Sequence, residues 1–589
     1  MYVLLGWLSR LRTLVLPDAS ALTAPGFSTL SSLSSIRITS LKLRFHHLVN
    51  LVHLPRLTSL AISYDPEVAK TTETFSVSQL PFLKSLQLDG EFSPFFWFLP
   101  SGLPCTRLER LVLADCTFLD QLPDDLGEIV PCLRELTLSW CSGLTRLPEE
   151  FTSLTRLESL TISSCPNLSS LPNNFGDLSA LKKTLPENFG RLEALKTLCM
   201  VKLPLVRLPE GLGGMAAIQT IFPNEVFNPL QLPGSLSQLT SLTRLDIDLA
   251  SNEKLPEGIE KLNQLRQLNI QCCFNLREIP ESVTGLTNLD TLTVGMCSEL
   301  VSFPKKLDTL VKLRQLQLTG CHPSMWLNGP PTSLPSSLES LSLGSYYQTT
   351  LLPKLPSLPN LKKLTLNLVN VECGEADVSE TSALPRLEYL ELVLAEDARE
   401  LSFPFASLPQ LRALVISRAG NIETLPGSIG SDLKQLRRLQ IEHAAELKVL
   451  PETISQLVHL TSLDVHAPKL TSLTTSIGAL FRLRELNLSD CSELESLPAS
   501  LTQLACLSKL SVENTAIRSL PGNFAQLTRL KRLDLFQCEH LEDLPEDFPE
   551  LKMLQVLRLG GCTNEVNREQ QRILRDRGID VMYGLRLGW

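Results

Sequence analysis

The chain has 589 residues, 43% hydrophobic and 20% charged, with a formal net charge of −9 and a pI near 5.6. That length exceeds what one hydrophobic core can hold, so the chain is either several domains or a repeat array. The composition excludes a disordered polymer and a collagen-like fibre, and the negative charge argues against a nucleic-acid partner, which needs cations to displace phosphate counterions. No apolar run reaches the roughly 20 residues needed to cross a bilayer, so no membrane partner is expected.

Met1–Leu8 is apolar but has neither a basic region nor a small-residue cleavage site, and it runs directly into Leu11, Leu14 and Leu16, the start of a repeat. Units over residues 1–107 are degenerate, and Phe92–Pro100 inserts an aromatic cluster beside one of them. The pattern then becomes plain: Leu133, Leu136, Leu138, Cys141, Leu144, Leu147 and Pro148 recur as Leu157, Leu160, Ile162, Cys165, Leu168, Leu171 and Pro172. Near 181–186 a unit is truncated, because only four residues separate Leu181 from Leu185. His322–Pro331 lengthens a loop, and the units from 338 to 387 are the least regular. The pattern returns late in the chain as Leu530, Leu533, Leu535, Cys538, Leu541, Leu544 and Pro545. About 23 units fill residues 1–562, nearly all 22 to 26 residues apart. Residues 563–589 change to a polar stretch with a sparse apolar stripe and Gly578 at an expected helix end, which reads as a C-terminal cap. No such cap exists at the N-terminus, so the first coil is expected to be covered by another domain or chain.

Each part of the unit has a physical task. In LxxLxL the last two leucines lie two residues apart, so they face one side of a strand while the residue between them faces the other. One strand cannot bury its leucines alone; stacking in a parallel sheet completes the core. The Cys position, filled by Cys116, Cys141, Cys165, Cys273, Cys297, Cys321, Cys491, Cys538 and Cys562, needs a small residue with a weak donor where the chain leaves the strand. Proline ends pairing and starts the return, too short for a full helix and expected as single helical or 3-10 turns on the convex side. Phe151, Leu154 and Leu157 are the expected anchors of one such turn.

The full spacing, CxxLxxLPxxφxxLxxLxxLxLxxC, resembles the leucine-rich-repeat region of plant intracellular disease-resistance proteins of the nucleotide-binding, leucine-rich-repeat type. Extracellular plant receptors usually place Asn where this chain has Cys, so the resemblance implies a cytoplasmic protein. The fold it implies is an α/β repeat: a leucine-rich-repeat solenoid with a curved parallel sheet on the concave face and short helical or 3-10 turns on the convex face. The function it implies is protein recognition in immune or defence signalling. One departure matters: the GxxxxGK[ST] loop of the family's nucleotide-binding domain is absent, so nucleotide switching is not carried over. The alternatives are a general intracellular scaffold or adaptor, and a microbial effector carrying plant-like repeats.

Catalytic and metal templates fail. There is no CxxC, HExxH or GxSxG, so no enzyme activity, cofactor or metal is expected, and 15 cysteines locked largely to the repeat read as reduced thiols. What remains is a protein ligand on the concave face, placed over roughly 387–540. The candidate contact residues are Trp140, Tyr389, Glu391, Glu442, His443, Asp464, His466, Glu513, Asp534 and Phe536. The three aromatics sit where the pattern points outward, and Trp and Tyr dominate many binding interfaces. His443 and His466, near Glu442 and Asp464, form a candidate pH-sensitive contact or a solvated polar face.

Overall fold

A computed structural model describes residues 11–17, 19–24, 27–40, 45–64, 76–90, 104–148, 151–168, 190–201, 208–224, 231–248, 250–322, 333–345, 357–368, 384–394, 398–401, 403, 405–562, 575–576 and 578–582. The aromatic cluster at 92–100, the truncated unit at 181–186, nearly all of the 322–331 loop and most of the 563–589 segment lie outside them. The chain divides into two units, Met1–Pro304 and Lys305–Trp589.

Among the described residues, twelve strands lie in the first unit and twelve in the second; the first set is β1 (Thr13–Leu16), β2 (Ser35–Ser40), β3 (Ser59–Tyr64), β4 (Ser85–Gly90), β5 (Arg110–Ala114), β6 (Glu135–Ser139), β7 (Ser159–Ser163), β8 (Thr197–Val201), β9 (Thr220–Asn224), β10 (Arg244–Asp248), β11 (Gln267–Gln271) and β12 (Thr291–Gly295). The second set is β13 (Gln315–Cys321), β14 (Ser340–Ser345), β15 (Lys363–Leu368), β16 (Tyr389–Leu394), β17 (Ala413–Ser417), β18 (Arg438–Ile441), β19 (Ser462–Val465), β20 (Glu485–Asn487), β21 (Lys509–Ser511), β22 (Arg532–Asp534), β23 (Val556–Arg558) and β24 (Asp580–Met582). Within each unit every strand pairs in parallel with the next, as a solenoid requires. β7 pairs directly with β8. β24 adds a strand that the leucine pattern does not announce; Gly578, at φ +77 after the helical Arg575 and Asp576, turns the chain into it.

Register follows from burial. Leu463 stacks on Leu486 and Leu486 on Leu510, all fully or almost fully buried, while Asp464, Asn487 and Ser511 between the leucines form a second row on the other face. A slip by one residue would carry every leucine to the wrong side, so the hydrophobic pattern alone fixes the pairing.

The cysteine phase works as its chemistry suggests. Cys141, Cys491, Cys538 and Cys562 donate S–H to the carbonyl of the second core residue of the preceding repeat, Leu113, Val465, Val512 and Leu535, at 3.6, 3.4, 3.1 and 3.3 Å. Where Cys is missing, Ala419, Ala444, Ala467 and Thr515 occupy the same phase and are likewise buried. Burial pushes the Cys491 thiol up to about 12; Cys141 rises to about 12 through its contact with Cys116 and through burial.

The return segments are mostly 3-10 turns, and they stack on one another from repeat to repeat. Pro209, Pro233, Pro280, Pro451 and Pro498 sit at their N-caps with φ between −65 and −78 and ψ between 141 and 154. Each proline carbonyl accepts from the amide three residues on, so the Leu-Pro step both ends pairing and seeds the turn. Phe151, Leu154 and Leu157 are all buried, as the spacing implies.

One feature of the coil escapes the leucine pattern. The residue just before the cysteine phase adopts the left-handed conformation at Asp115, Trp140, Ser164, Cys272, Met296, Gly320, Arg418, His443, Asp490, Asn514, Gln537 and Gly561. Its amide commonly donates forward to the next repeat, as Trp140 does to Ser163 at 2.9 Å and Gln537 to Gly560 at 2.7 Å.

Leu486→Ala should cost about 2–5 kcal/mol because it opens a void inside the stack. Glu485→Ala, which removes an exposed ion pair with Lys509, should cost about 1 kcal/mol or less. Chemical denaturation checks both, and equal losses would contradict the inward and outward assignment. The Cys491 thiol should also resist iodoacetamide at neutral pH until denaturant is added; its rapid alkylation in the native chain would refute its burial and protonation.

Candidate protein-binding face

The strand residues that do not face the core form rows held at the spacing of the sheet, about 4.8 Å per strand. In the second unit these rows are tied together across repeats. Ser417 Oγ donates to Glu442 Oε2 at 3.1 Å, and Gln440 Nε2 donates to Glu442 Oε1 at 2.8 Å. Asn487 Nδ2 donates to Asp464 Oδ1 at 2.8 Å, Ser489 Oγ donates to Asn487 Oδ1 at 2.6 Å, and Ser489 meets Ser511 at 2.8 Å. Tyr389 Oη and Thr365 Oγ1 both donate to Glu391 Oε2, at 3.3 and 3.2 Å, and Lys363 Nζ lies 4.7 Å from the Tyr389 ring centroid. Burial, reinforced by Glu391, pushes the Tyr389 phenol up to about 12, so it stays a donor.

The candidate residues divide into three kinds. Trp140, 59% exposed, and His443 occupy left-handed positions and project freely. Tyr389, Glu391, Glu442, Asp464, His466 and Phe536 are half-buried, with polar or ring edges available. Glu513 and Asp534 correct the expectation of an exposed contact, because they are 6% and 1% exposed. Both are drawn in by Arg558, itself 8% exposed: its guanidinium contacts Asp534, lies 3.7 Å from Glu513 and stands 5.0 Å from the Phe536 ring centroid. Asp534 Oδ1 also accepts from the Phe536 amide at 3.0 Å. These two carboxylates brace the surface through Arg558.

His466 pairs through Nε2 with Asp464 at 3.2 Å and through Nδ1 with Asp490 at 3.8 Å, with Glu442 on the preceding repeat. The Asp464 hydrogen bond raises its pKa above 6.5, with Asp490 and Glu442 adding to the effect and partial burial opposing it.

Sequence reasoning missed a matching cluster in the first unit. Asp246, 5% exposed, takes Arg244 Nη2 at 2.9 Å and Asn269 Nδ2 at 2.6 Å. A charged residue between two strand leucines was the available signal, as at Asp464 and Asp534. Among the described residues no group of three or more His, Cys, Asp or Glu is placed to hold a metal, and no helix is long and apolar enough to cross a membrane.

Ladders of leucine, small-residue turns and ordered outward rows define a class of binding scaffold. A family model for a leucine-rich repeat region matches residues 182–404 and 469–574, more than half of the chain, and the chain belongs to that family. Among solved structures it is similar to a leucine-rich-repeat protein of Leptospira interrogans, at 22% identity over 80% of this chain and 93% of that one, with a TM-score of 0.42. It is also similar to the plant peptide hormone receptor RGFR1 in complex with RGF2, at 18% identity over 98% and 97% and a TM-score of 0.34. A third is TLR13 in complex with ssRNA13, at 18% identity over 95% and 80% and a TM-score of 0.49. No curated protein sequence matches the chain.

A raised histidine pKa stabilises the fold fully below 6.5, and that contribution is lost as pH climbs through the elevated value. The melting-temperature gap between the wild-type chain and His466→Gln should therefore be widest on the acid side of 6.5 and should narrow toward alkaline pH. A gap that widens toward alkaline pH would contradict the Asp464–His466–Asp490 pairing.

Proposed function

We propose that this chain is a protein-recognition module of intracellular immune or defence signalling, with its ligand on the concave strand face of the C-terminal half. The observation that carries the reading is the outward row itself: half-buried polar and aromatic side chains held in place by hydrogen bonds between repeats. Such preorganisation removes much of the ordering entropy that a flexible surface would lose on association. The fold supports binding rather than catalysis, because its outward rows repeat chemistry that no single reaction centre needs. The cytoplasmic reading draws on the Cys-type repeat and on fourteen described cysteines that are all free thiols. The defence reading draws on the resemblance of CxxLxxLP units to plant disease-resistance proteins.

Affinity capture from a lysate followed by mass spectrometry should recover a specific protein partner. Tyr389→Ala and Phe536→Ala should weaken its binding without shifting the melting temperature, whereas Asp534→Ala should lower the melting temperature by stranding Arg558. Normal binding by both aromatic variants would overturn the strand-face site.

A further inference from the structure

The residue that leads into each strand belongs to a ladder of its own. Its amide donates to the carbonyl of its counterpart one repeat back, at 2.7–2.8 Å: Arg437 to Arg412, Thr461 to Arg437, Arg484 to Thr461, Ser508 to Arg484 and Lys531 to Ser508. These positions therefore stand in one row along the amino edge of the sheet.

At the same position in other repeats, successive charges alternate and neutralise. Lys84 pairs with Glu109 at 2.9 Å; Glu158 takes Arg134 at 2.8 Å and Lys196 at 2.7 Å. Glu339 takes Lys362 at 2.8 Å, and Arg412 meets Glu388 at 3.4 Å. Beyond Arg412 the alternation stops. Arg437, Arg484 and Lys531 alternate with the neutral Thr461 and Ser508, and all three are exposed with no ion-pair partner among the described residues. The next column adds Arg438 and Arg532, also exposed and unpaired, while Glu485 is taken up by Lys509 at 2.8 Å. The segments after the same strands mix charges, with Glu442, Asp490, Glu493 and Glu495 beside Lys448, Lys469 and Arg518. In a chain of net charge −9, this is a concentrated reserve of uncompensated cations.

We propose that the amino edge of the repeats from Arg412 to Arg532 is a docking lane for an extended acidic protein segment whose carboxylates recur every third residue. Arg437 to Arg484, and Arg484 to Lys531, each span two strands, about 9.6 Å. Three residues of extended or polyproline-type chain rise about 9–10 Å, so one carboxylate meets each cation in turn. Each guanidinium offers a two-bond fork to a carboxylate, and Lys531 a point charge. A phosphodiester chain fits the lane less well. The row offers no aromatic side chain for base stacking. The inference rests on the protein-binding reading and gives the partner a chemistry.

The test titrates the full chain with a fluorescent peptide of repeating Glu-Ser-Gly, a control of repeating Lys-Ser-Gly, and oligouridylate. The Glu peptide should bind with an affinity that falls with salt, and the Lys peptide should not bind. The triple variant Arg437→Gln, Arg484→Gln, Lys531→Gln should bind it about tenfold more weakly or worse, at an unchanged melting temperature. Glu493→Gln with Glu495→Gln should leave the affinity intact. Absence of Glu-peptide binding, equal binding by the triple variant, or tighter binding of oligouridylate would overturn the lane. A captured partner that the aromatic variants lose and the triple variant keeps would overturn the lane alone. A lane that binds the Glu peptide while every aromatic variant holds its partner would instead overturn the strand-face reading.

Discussion

Everything in this fold depends on one constraint: no repeat can bury its own leucines. A strand of three to seven residues presents two apolar side chains to one side, and only a neighbour in strict register can cover them. Leu463, Leu486 and Leu510 meet this demand by sitting directly over one another. The small residue at the cysteine phase follows from the same demand, because the chain must turn out of the strand inside the core and still satisfy the carbonyl it leaves behind. The left-handed residue before it is the geometric cost of that turn, roughly 1–2 kcal/mol for a side chain other than glycine. That cost recurs in several repeats, where a forward amide bond at 2.7–3.0 Å holds the conformation in place.

The division between what the sequence showed and what it hid follows the range of each interaction. Leucine spacing is local and periodic, so strands, their inward and outward faces and the proline-started turns could all be read from it. The left-handed row could not. Asp115, Trp140, Ser164, Met296 and Gln537 share no side-chain chemistry, and only their common distance from the cysteine reveals them. Trp140 was legible as an outward aromatic, but its exposure comes from the backbone conformation rather than from the strand alternation that suggested it. β24 was hidden for the opposite reason: Asp580–Met582 lacks the leucine signature and is recognised as a strand only by its partner, β23.

Burial of the polar rows was the other blind spot. Position alone places Asp464 and Asp534 equally, each midway between strand leucines. They differ in what the next repeats supply. Asp464 faces Asn487 and His466 and stays half-buried, while Asp534 faces Arg558 and is almost fully enclosed. An acidic residue in such a row thus becomes a surface group or a brace according to its neighbours one repeat away, some 23 residues distant in sequence. No reading of one unit in isolation can tell these outcomes apart.

The same neighbour logic explains why charge, rather than shape, distinguishes one stretch of the array from another. The backbone at Lys84, Glu158, Glu339 and Lys531 is equivalent, since each leads into a strand and donates to its counterpart one repeat back within its own unit. Where opposite charges alternate, Glu158 and Glu339 are each shared between two flanking cations, and the Lys196 and Lys362 ammonium groups hold them below their usual pKa. Such rows are internally satisfied and have little to gain from a partner. Where cations alternate with threonine and serine, the lattice is identical but its electrostatic demand is unmet. Because exposed pairs contribute only about 0–1 kcal/mol each, the fold tolerates either arrangement with little change in stability. That indifference leaves the charge of the row free to vary from repeat to repeat while the leucine ladder beneath it stays fixed.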